Sequence, residues 1–132
     1  MSVEVHVVTP EREVWSGQAE MVIARGVDGE VGILGGHAPL LVRLAIGHLR
    51  VIRDGQEDFV SVVDGGFLHV SIPESGITRV DVLGSNAALL SEIDVELERR
   101  RQEEMERRIE AGDDAEAHAE LAKALARLSL RG

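Results

Sequence analysis

The chain has 132 residues, of which 44% are apolar, so it can bury the core of one domain and carry a small appendage. Its 24 acidic and 14 basic side chains give a net charge of −10, which disfavours nucleic acid and anionic lipid as direct partners. The absence of cysteine excludes disulfides and thiolate sites, and no apolar run is long enough to insert directly into a membrane.

The first part of the chain, residues 1–84, is predicted to be all-β. Val3, Val5 and Val7 alternate with polar residues, which is the period of a half-buried strand. Turn residues at Asp28-Gly29 and Asp54-Gly55, and between residues 73 and 76, separate further segments. These predicted strands cover residues 19–24, 31–34, 40–44, 48–53, 59–63, 67–72 and 77–83. About eight to ten short strands predict a β-sandwich, or flattened barrel.

The composition changes after Gly84, where Ala, Leu, Glu and Arg replace Gly and Val. Ser85 or Asn86 is predicted to cap a helix that runs to about residue 111, with Leu90, Ile93 and Leu97 on one face. We therefore divide the chain into a β-domain, residues 1–84, and a helix-turn-helix domain, residues 85–132.

A second helix is predicted after Gly112. Asp113 and Glu116 have the spacing of a capping box, and the helix runs to about Leu130. The short connection predicts an antiparallel helical hairpin. The apolar face of this helix comprises Ala117, Leu121, Ala124, Leu125 and Leu128.

The segment from Asp28 to Leu41 is rich in glycine and contains one histidine and one proline. One interpretation is a tight β-corner, in which Ala38-Pro39 disfavours helix before the next strand. The other is a contact surface, with Glu30 and His37 as exposed polar groups beside a rigid backbone.

Catalytic and metal-binding motifs are not found in the sequence. The glycine-rich run lacks the lysine of a phosphate-binding loop, and no serine lies in a nucleophile elbow. The five histidines do not have metal-ligand spacing, so we expect no metal, and we assign no catalytic residue. We expect His48 and His69, in alternating strands, to face solvent or to bond a neighbour.

Several motifs spread along the chain resemble one family. The run G-E-V-G-I-L-G-G-H-A-P-L-L from Gly29 to Leu41 is similar to the signature of the epsilon subunit of F-type ATP synthases, although Gly35 stands where that family commonly has proline. Further similar segments are Val7 to Pro10, Val14 to Gly17, Asp64 to Leu68, and Ala119 to Leu128.

The resemblance implies a non-catalytic rotor subunit of the central stalk. Such a subunit joins the gamma subunit to the membrane ring of proton-translocating c subunits, and it is peripheral on the cytoplasmic face of the cell membrane. The implied interface with gamma and the ring comprises Glu30, Gly32, Gly36, His37, Ala38, Pro39 and Leu40.

The resemblance also implies a regulatory role for the two helices. When extended, they approach the alpha and beta subunits of the catalytic head and restrain ATP hydrolysis. The basic residues of the first helix would meet acidic partners there, whereas from the residues alone they form a solvated face balanced by glutamates. These residues are Arg99, Arg100, Arg101, Arg107 and Arg108.

An ATP-binding motif of many bacterial epsilon subunits is matched only in part. Ile93 and Asp94 agree with it, but Leu97 and Glu98 stand in place of its arginine and alanine. Loss of a guanidinium and gain of a carboxylate both disfavour a triphosphate. We therefore expect no bound cofactor, and ATP affinity weaker than millimolar.

Two other functions remain as alternatives. One is a separate β-sandwich binding module with a helical dimerisation tail, and the other is a small hydrolase using His37. Co-purification separates them, because an epsilon subunit is recovered with gamma and a binding module with itself or another ligand.

Overall fold

A computed structural model describes residues 2–112 and 114–131 of the protein. Eight strands are followed by a 3₁₀ turn and two helices. The strands are β1 Val3–Val8, β2 Glu13–Ala19, β3 Met21–Gly26, β4 Gly29–Leu34, β5 Leu40–Ile52, β6 Phe59–Ser71, β7 Thr78–Gly84 and β8 Ala87–Leu89. The 3₁₀ turn is Leu90–Glu92, and the helices are α1 Val95–Ala111 and α2 Ala115–Arg131.

The strands form a β-sandwich whose sheet is not closed, which confirms the predicted class. Their order is β2-β1-β7-β6-β5-β3-β4, with β8 also paired to β6. All neighbours are antiparallel except β1 and β7, which are parallel. The long strands β5 and β6 pair from Leu40 with Val70 to Val51 with Phe59, and they take part in both layers of the sandwich.

The corner between the two layers lies at Gly66 in β6. Its φ is +121°, which side chains rarely adopt, and a Cβ there would collide with the carbonyl oxygen of Leu83. Beyond this point β6 pairs with β7, whereas its earlier half pairs with β8. Glycine is therefore needed where the strand passes from one layer to the other.

The core between the layers is built almost entirely from aliphatic side chains. Val3, Val5 and Val7 of β1 point into it, as the alternating pattern predicts. Trp15 stacks on Phe59 at the edge of the core, with ring centroids 5.2 Å apart. The largest fully buried side chains of this core are Ile33, Leu49 and Leu68, together with valines of β1, β3, β5, β6 and β7.

The predicted turns are confirmed, and two pairs of predicted strands are each one strand. Gly29, Gly55 and Gly76 all have positive φ at the reversals. Residues 40–44 and 48–53 belong largely to β5, and residues 59–63 and 67–72 belong largely to β6. The glycines between these segments do not interrupt the strands, because glycine retains its backbone N–H and C=O, so the ladder continues. Strands β2 and β8 were not predicted.

The predicted start of the first helix at Ser85 or Asn86 is wrong. Residues 87–89 instead pair with residues 61–63 of β6, so the sheet continues past Gly84. The helix begins at Val95, where the side chain of Asp94 accepts a hydrogen bond from the backbone N–H of Leu97 at 3.2 Å. Consequently Leu90 and Ile93 precede α1, and Leu97 is exposed rather than part of a buried face.

The second helix begins at Ala115, and the two helices pack against each other. Asp114 accepts a hydrogen bond from the backbone N–H of Ala117 at 3.0 Å, which caps α2. The predicted capping residue Asp113 lies outside the described residues. The short connection makes the helices antiparallel, and α2 lies against β5 and β6. Of its predicted apolar face, Ala117 and Ala124 are buried, whereas Leu125 is exposed.

Candidate interaction surfaces

The glycine-rich corner leaves several of the predicted interface residues exposed on a fixed backbone. Gly36 has a φ of +86°, and its N–H donates to Thr78 Oγ1 at 2.7 Å, which ties the loop to β7. The N–H of His37 donates to Leu34 O at 3.1 Å. Both interpretations of this segment are thus compatible, because a tight corner also presents a rigid surface.

The predicted interface residues fall on two neighbouring stretches of this corner. Glu30 and Gly32 are exposed on β4, which pairs only with β3 among the described strands. Ala38, Pro39 and Leu40 are exposed at the start of β5, and His37 is half-buried with its Nδ1 atom 2.7 Å from Ala38 O.

A second surface lies on the outer face of the layer formed by β1, β7, β6 and the first half of β5. Cross-strand pairing places Arg43 beside Phe67 and Phe67 beside Leu83. Phe67 and Leu83 are 47% and 50% exposed, and Leu41, one pair along the sheet, is 65% exposed. The three large apolar side chains form what we call the apolar patch, and the sequence analysis did not identify it.

A shallow hollow adjoins the apolar patch. Its wall includes Val8, Pro10, Phe67 and Leu83 and is mostly apolar. Exposed apolar side chains grouped in this way are typical of protein–protein contacts. The sequence signal for the patch was that Phe67 and Leu83 are apolar, although they lie at positions that alternate with the buried residues of β6 and β7.

Charged groups border the apolar patch. The guanidinium of Arg79 donates to both carboxylate oxygens of Asp81, at 3.0 and 3.1–3.2 Å, and these bonds raise the pKa of Arg79. His6 lies 3.0 Å from Glu4, which adds a second polar pair on the same outer face. This polar border surrounds an apolar centre, as in many docking sites.

The predicted regulatory arginines divide into two groups. Arg99, Arg100 and Arg107 are exposed and have no ion-pair partner among the described residues. Arg101 instead binds Glu98 at 3.1 Å, and Arg108 binds Asp114 at 2.6 Å. The N–H of Ala117 and the Arg108 guanidinium together hold the pKa of Asp114 below its ordinary value. Only the first group is available for a partner without loss of an internal contact.

A buried ionic cluster joins the sandwich to both helices, and the sequence analysis missed it. Arg127 of α2 donates to Asp64 of β6 at 2.9 Å and lies 3.7 Å from Glu98 of α1. The side chains of Arg127, Asp64 and Glu98 are only 10%, 4% and 5% exposed. A signal was present, because Arg127 and Glu98 occupy positions on the buried stripes of their helices.

The residues of the partial ATP-binding motif have structural roles here. Ile93 is buried just before α1, and Asp94 caps that helix. Glu98, at the position that departs from the motif, faces Arg127. His48 and His69 are exposed as expected, and His48 Nε2 lies 2.9 Å from Ala126 O.

Comparison with known proteins identifies the class. Residues 2–89 match the family model described as the ATP synthase delta/epsilon chain, β-sandwich domain. This match ends at the last residue of β8, so it covers every strand. The chain therefore belongs to the ATP synthase delta/epsilon chain family.

The relatives narrow this to the epsilon type, as the resemblance predicted. The ATP synthase epsilon chain of Thermobifida fusca is 43% identical over 126 residues, covering 94% of this chain and 88% of the relative. That of Brevibacillus brevis is 42% identical over 117 residues, covering 89% and 81%. Both alignments are too long to be confined to the β-sandwich, so the similarity includes the helices.

A solved structure agrees with this classification. One chain from the Euglena gracilis mitochondrial ATP synthase, in a structure of its OSCP/F1/c-ring, superposes with a TM-score of 0.83. It is 26% identical, and the match covers 98% of this chain and 80% of that one. Within the described residues, neither helix has the length and apolar character needed to cross a bilayer.

Proposed function

We propose that this chain is the non-catalytic epsilon subunit of a bacterial F-type ATP synthase. It would be part of the central stalk that couples proton flow to ATP synthesis, peripheral at the cytoplasmic face of the cell membrane. The observation that carries the proposal is the alignment over most of the chain with two bacterial epsilon chains, at 43% and 42% identity. The Euglena match supports it, since that chain comes from an F1/c-ring assembly.

The apolar patch is our proposed contact with the gamma subunit. Its three large side chains are exposed in the isolated chain, and burying each would stabilise a complex by about 1–2 kcal/mol or more. The adjoining hollow can accept an apolar side chain of the partner. The polar pairs around the patch would orient the two proteins, because mismatched charges are penalised at an interface.

The glycine-rich corner is our proposed contact with the ring of c subunits. Its polar groups Glu30 and His37 can bind a polar loop of a membrane protein better than an apolar surface could. The loop is held by the bond from Gly36 to Thr78, so little conformational entropy would be lost on binding.

Co-purification with gamma tests the main proposal. Phe67→Glu and Leu83→Glu should each reduce recovery with gamma at least tenfold, because either places a charge in the proposed interface. Leu125→Glu is the matched control, since Leu125 is comparably exposed but lies on α2. Equal recovery of all three variants with gamma would contradict the placement of this contact. Failure of the wild-type chain to bind gamma would contradict the function itself.

The helices are proposed to restrain ATP hydrolysis by meeting acidic segments of the alpha and beta subunits. Arg99, Arg100 and Arg107 are the sharpest test, because they have no internal ion pair to lose. Their replacement by glutamine should change stability by less than about 0.5 kcal/mol, yet the assembled enzyme should hydrolyse ATP faster. Adding Arg101→Gln and Arg108→Gln should increase hydrolysis further.

Deletion of the two helices is the control for this experiment. If deletion activates hydrolysis and the arginine variants do not, charge is not the restraint. If deletion has no effect, the hairpin does not inhibit this enzyme.

ATP is not proposed as a ligand. The guanidinium of Arg127 already has two carboxylates near it, and Leu97 offers no donor to a phosphate. We expect calorimetry of the isolated chain with Mg-ATP to give an affinity weaker than millimolar. Micromolar binding would contradict this and would mean that other arginines hold the phosphates.

A further inference from the structure

We propose that Arg127, Asp64 and Glu98 form a releasable ion latch, which holds the helical hairpin on the sandwich and lets it leave without unfolding the sandwich. The proposal rests on the proposed function only where it concerns ATP hydrolysis. Release of the hairpin itself is a property of the isolated chain.

The ion latch joins the three parts that must separate if the hairpin leaves. Asp64 belongs to β6, Glu98 to α1 and Arg127 to α2. Arg127 binds Asp64 at 2.9 Å and lies 3.7 Å from Glu98, so one side chain bridges the sandwich and the first helix. Next to Arg127, the backbone carbonyl of Ala126 accepts a hydrogen bond from His48 Nε2 at 2.9 Å, which is a second polar contact between α2 and the sandwich.

The charges of the ion latch are buried, but they lack some of the hydrogen bonds that would compensate for their loss of water. Two carboxylates share one buried guanidinium, and the half-exposed Arg101 supplies the remaining positive charge by binding Glu98. Asp64 Oδ1, Glu98 Oε2 and Arg127 Nε are buried without a hydrogen-bond partner among the described protein atoms. Desolvation therefore offsets much of the attraction, and the net stabilisation of the docked hairpin is small.

The apolar contacts around the ion latch are also modest. Val62, beside Asp64 on β6, is fully buried although it does not belong to the sandwich core, and α2 packs against this strand. The buried apolar residues of α2 are the small side chains Ala117 and Ala124. No described residue of either helix belongs to the core between the layers, so departure of the hairpin would leave that core closed.

This arrangement predicts opposite effects from removing one charge and from removing all three. Arg127→Met alone leaves the buried carboxylate of Asp64 without its cation and Glu98 with only Arg101, which is unfavourable, so the hairpin should open. Asp64→Leu, Glu98→Leu and Arg127→Met together replace the ionic cluster by apolar contacts. The triple variant should keep the hairpin docked at least as firmly as in the wild type. A charge cluster that contributed a large net stabilisation would weaken docking in both variants.

Spin-label distances in the full-length chain measure the docking. The chain has no cysteine, so Glu74→Cys on the sandwich and Ala119→Cys on α2 provide two unique labels at exposed positions. The wild-type and triple variants should give one short, narrow distance distribution. Arg127→Met should shift at least half of the population to longer distances. Arg131→Met, also an exposed position of α2, is the matched control and should leave the distribution unchanged.

Three results would overturn the ion latch. They are an unchanged distance distribution in Arg127→Met, loss of docking in the triple variant, and loss of the folded sandwich in Arg127→Met. The last is detected by the near-ultraviolet signal of Trp15, which stacks on Phe59 within the sandwich.

Hydrolysis by the assembled enzyme separates the ion latch from the proposed function. If extended helices inhibit, Arg127→Met should lower ATP hydrolysis severalfold and the triple variant should raise it. Distances that change as expected while hydrolysis stays constant would support the ion latch and contradict the inhibitory role. Hydrolysis that changes while distances stay constant would contradict the ion latch alone.

Discussion

The sandwich and the helical hairpin of this protein are stabilised in different ways. The sandwich buries a continuous core of valine, leucine and isoleucine from six of its strands, and backbone pairing links all eight. The hairpin is joined to it by one face of α2, where the buried residues are alanines and the charged cluster around Arg127. Apolar burial favours a single packed state, whereas poorly compensated charges contribute little net stability. The sandwich is therefore the more firmly packed part of the molecule, and the docking of the hairpin contributes less to its stability.

The difference in stability between the sandwich and the hairpin should be clearest when a core side chain is truncated. Leu68→Ala should lower the free energy of unfolding by about 2–5 kcal/mol, because Leu68 is fully buried and its removal leaves a cavity. Leu125→Ala, on the exposed side of α2, should change it by less than about 0.5 kcal/mol. Urea denaturation of both variants measures this. Equal losses would mean that the hairpin is part of the same cooperative core.

The corner of β6 should be nearly as sensitive. Gly66→Ala should destabilise the protein by about 3 kcal/mol, the upper end for backbone strain, because a methyl group would also collide with the carbonyl oxygen of Leu83. Gly55→Ala is the matched control, since Gly55 also has positive φ but has open space around it. It should lose only about 1 kcal/mol. Thermal melts measure both variants, and equal decreases in melting temperature would contradict this expectation.

Removal of the hairpin should have a smaller effect, which depends on where the chain is cut. Residues 1–92 should fold with a stability within about 1–2 kcal/mol of the full chain, because the core stays covered. Residues 1–84 should also fold, but less stably, since they lack β8 and the buried Ala87. Denaturation of the two fragments compares them. A shorter fragment as stable as the longer one would show that β8 contributes nothing to the sandwich.

The smallest effect should be a change in the pH dependence of stability, caused by the 3₁₀ turn that joins the sandwich to α1. The Arg12 guanidinium and the backbone N–H of Leu89 hold the pKa of Glu92 below its ordinary value of 4.5. A carboxyl with a lowered pKa stabilises the folded state at neutral pH, and this stabilisation is lost as the pH falls below about 4.5. Glu92→Gln should therefore lower the melting temperature at neutral pH and reduce its fall in acid. Glu74→Gln, at an exposed carboxyl in the turn before β7, is the control and should leave the melting temperature at neutral pH nearly unchanged.

The sandwich could be predicted from sequence because its strands follow a simple alternation. The alternation of Val3, Val5 and Val7 predicted β1, and glycines at positions 29, 55 and 76 predicted the chain reversals. Strand β8 could not be predicted, because Ala87–Leu89 has the composition of a helix and becomes a strand only through its pairing with β6. Local propensity pointed to a helix, and a tertiary contact decided otherwise.

The surfaces were predicted only where a motif carried them. The corner from Gly29 to Leu41 was identified from its glycines and from the family resemblance. The apolar patch depends on which strands are neighbours, which cannot be read from any one strand. The ion latch was missed because the position of Glu98 or Arg127 on a helical stripe does not reveal its partner, which is distant in sequence.

The long strands β5 and β6 have a mechanical consequence. The apolar patch uses the first half of β5 and the second half of β6, whereas α2 lies against these same two strands and binds His48 and Asp64 in their other halves. A force applied at the patch is therefore carried to the hairpin side along covalent bonds and a continuous hydrogen-bonded ladder. It does not have to cross the side-chain packing between the layers. Because β6 continues through the corner at Gly66, the sandwich connects the apolar patch rigidly to the surface against which α2 lies.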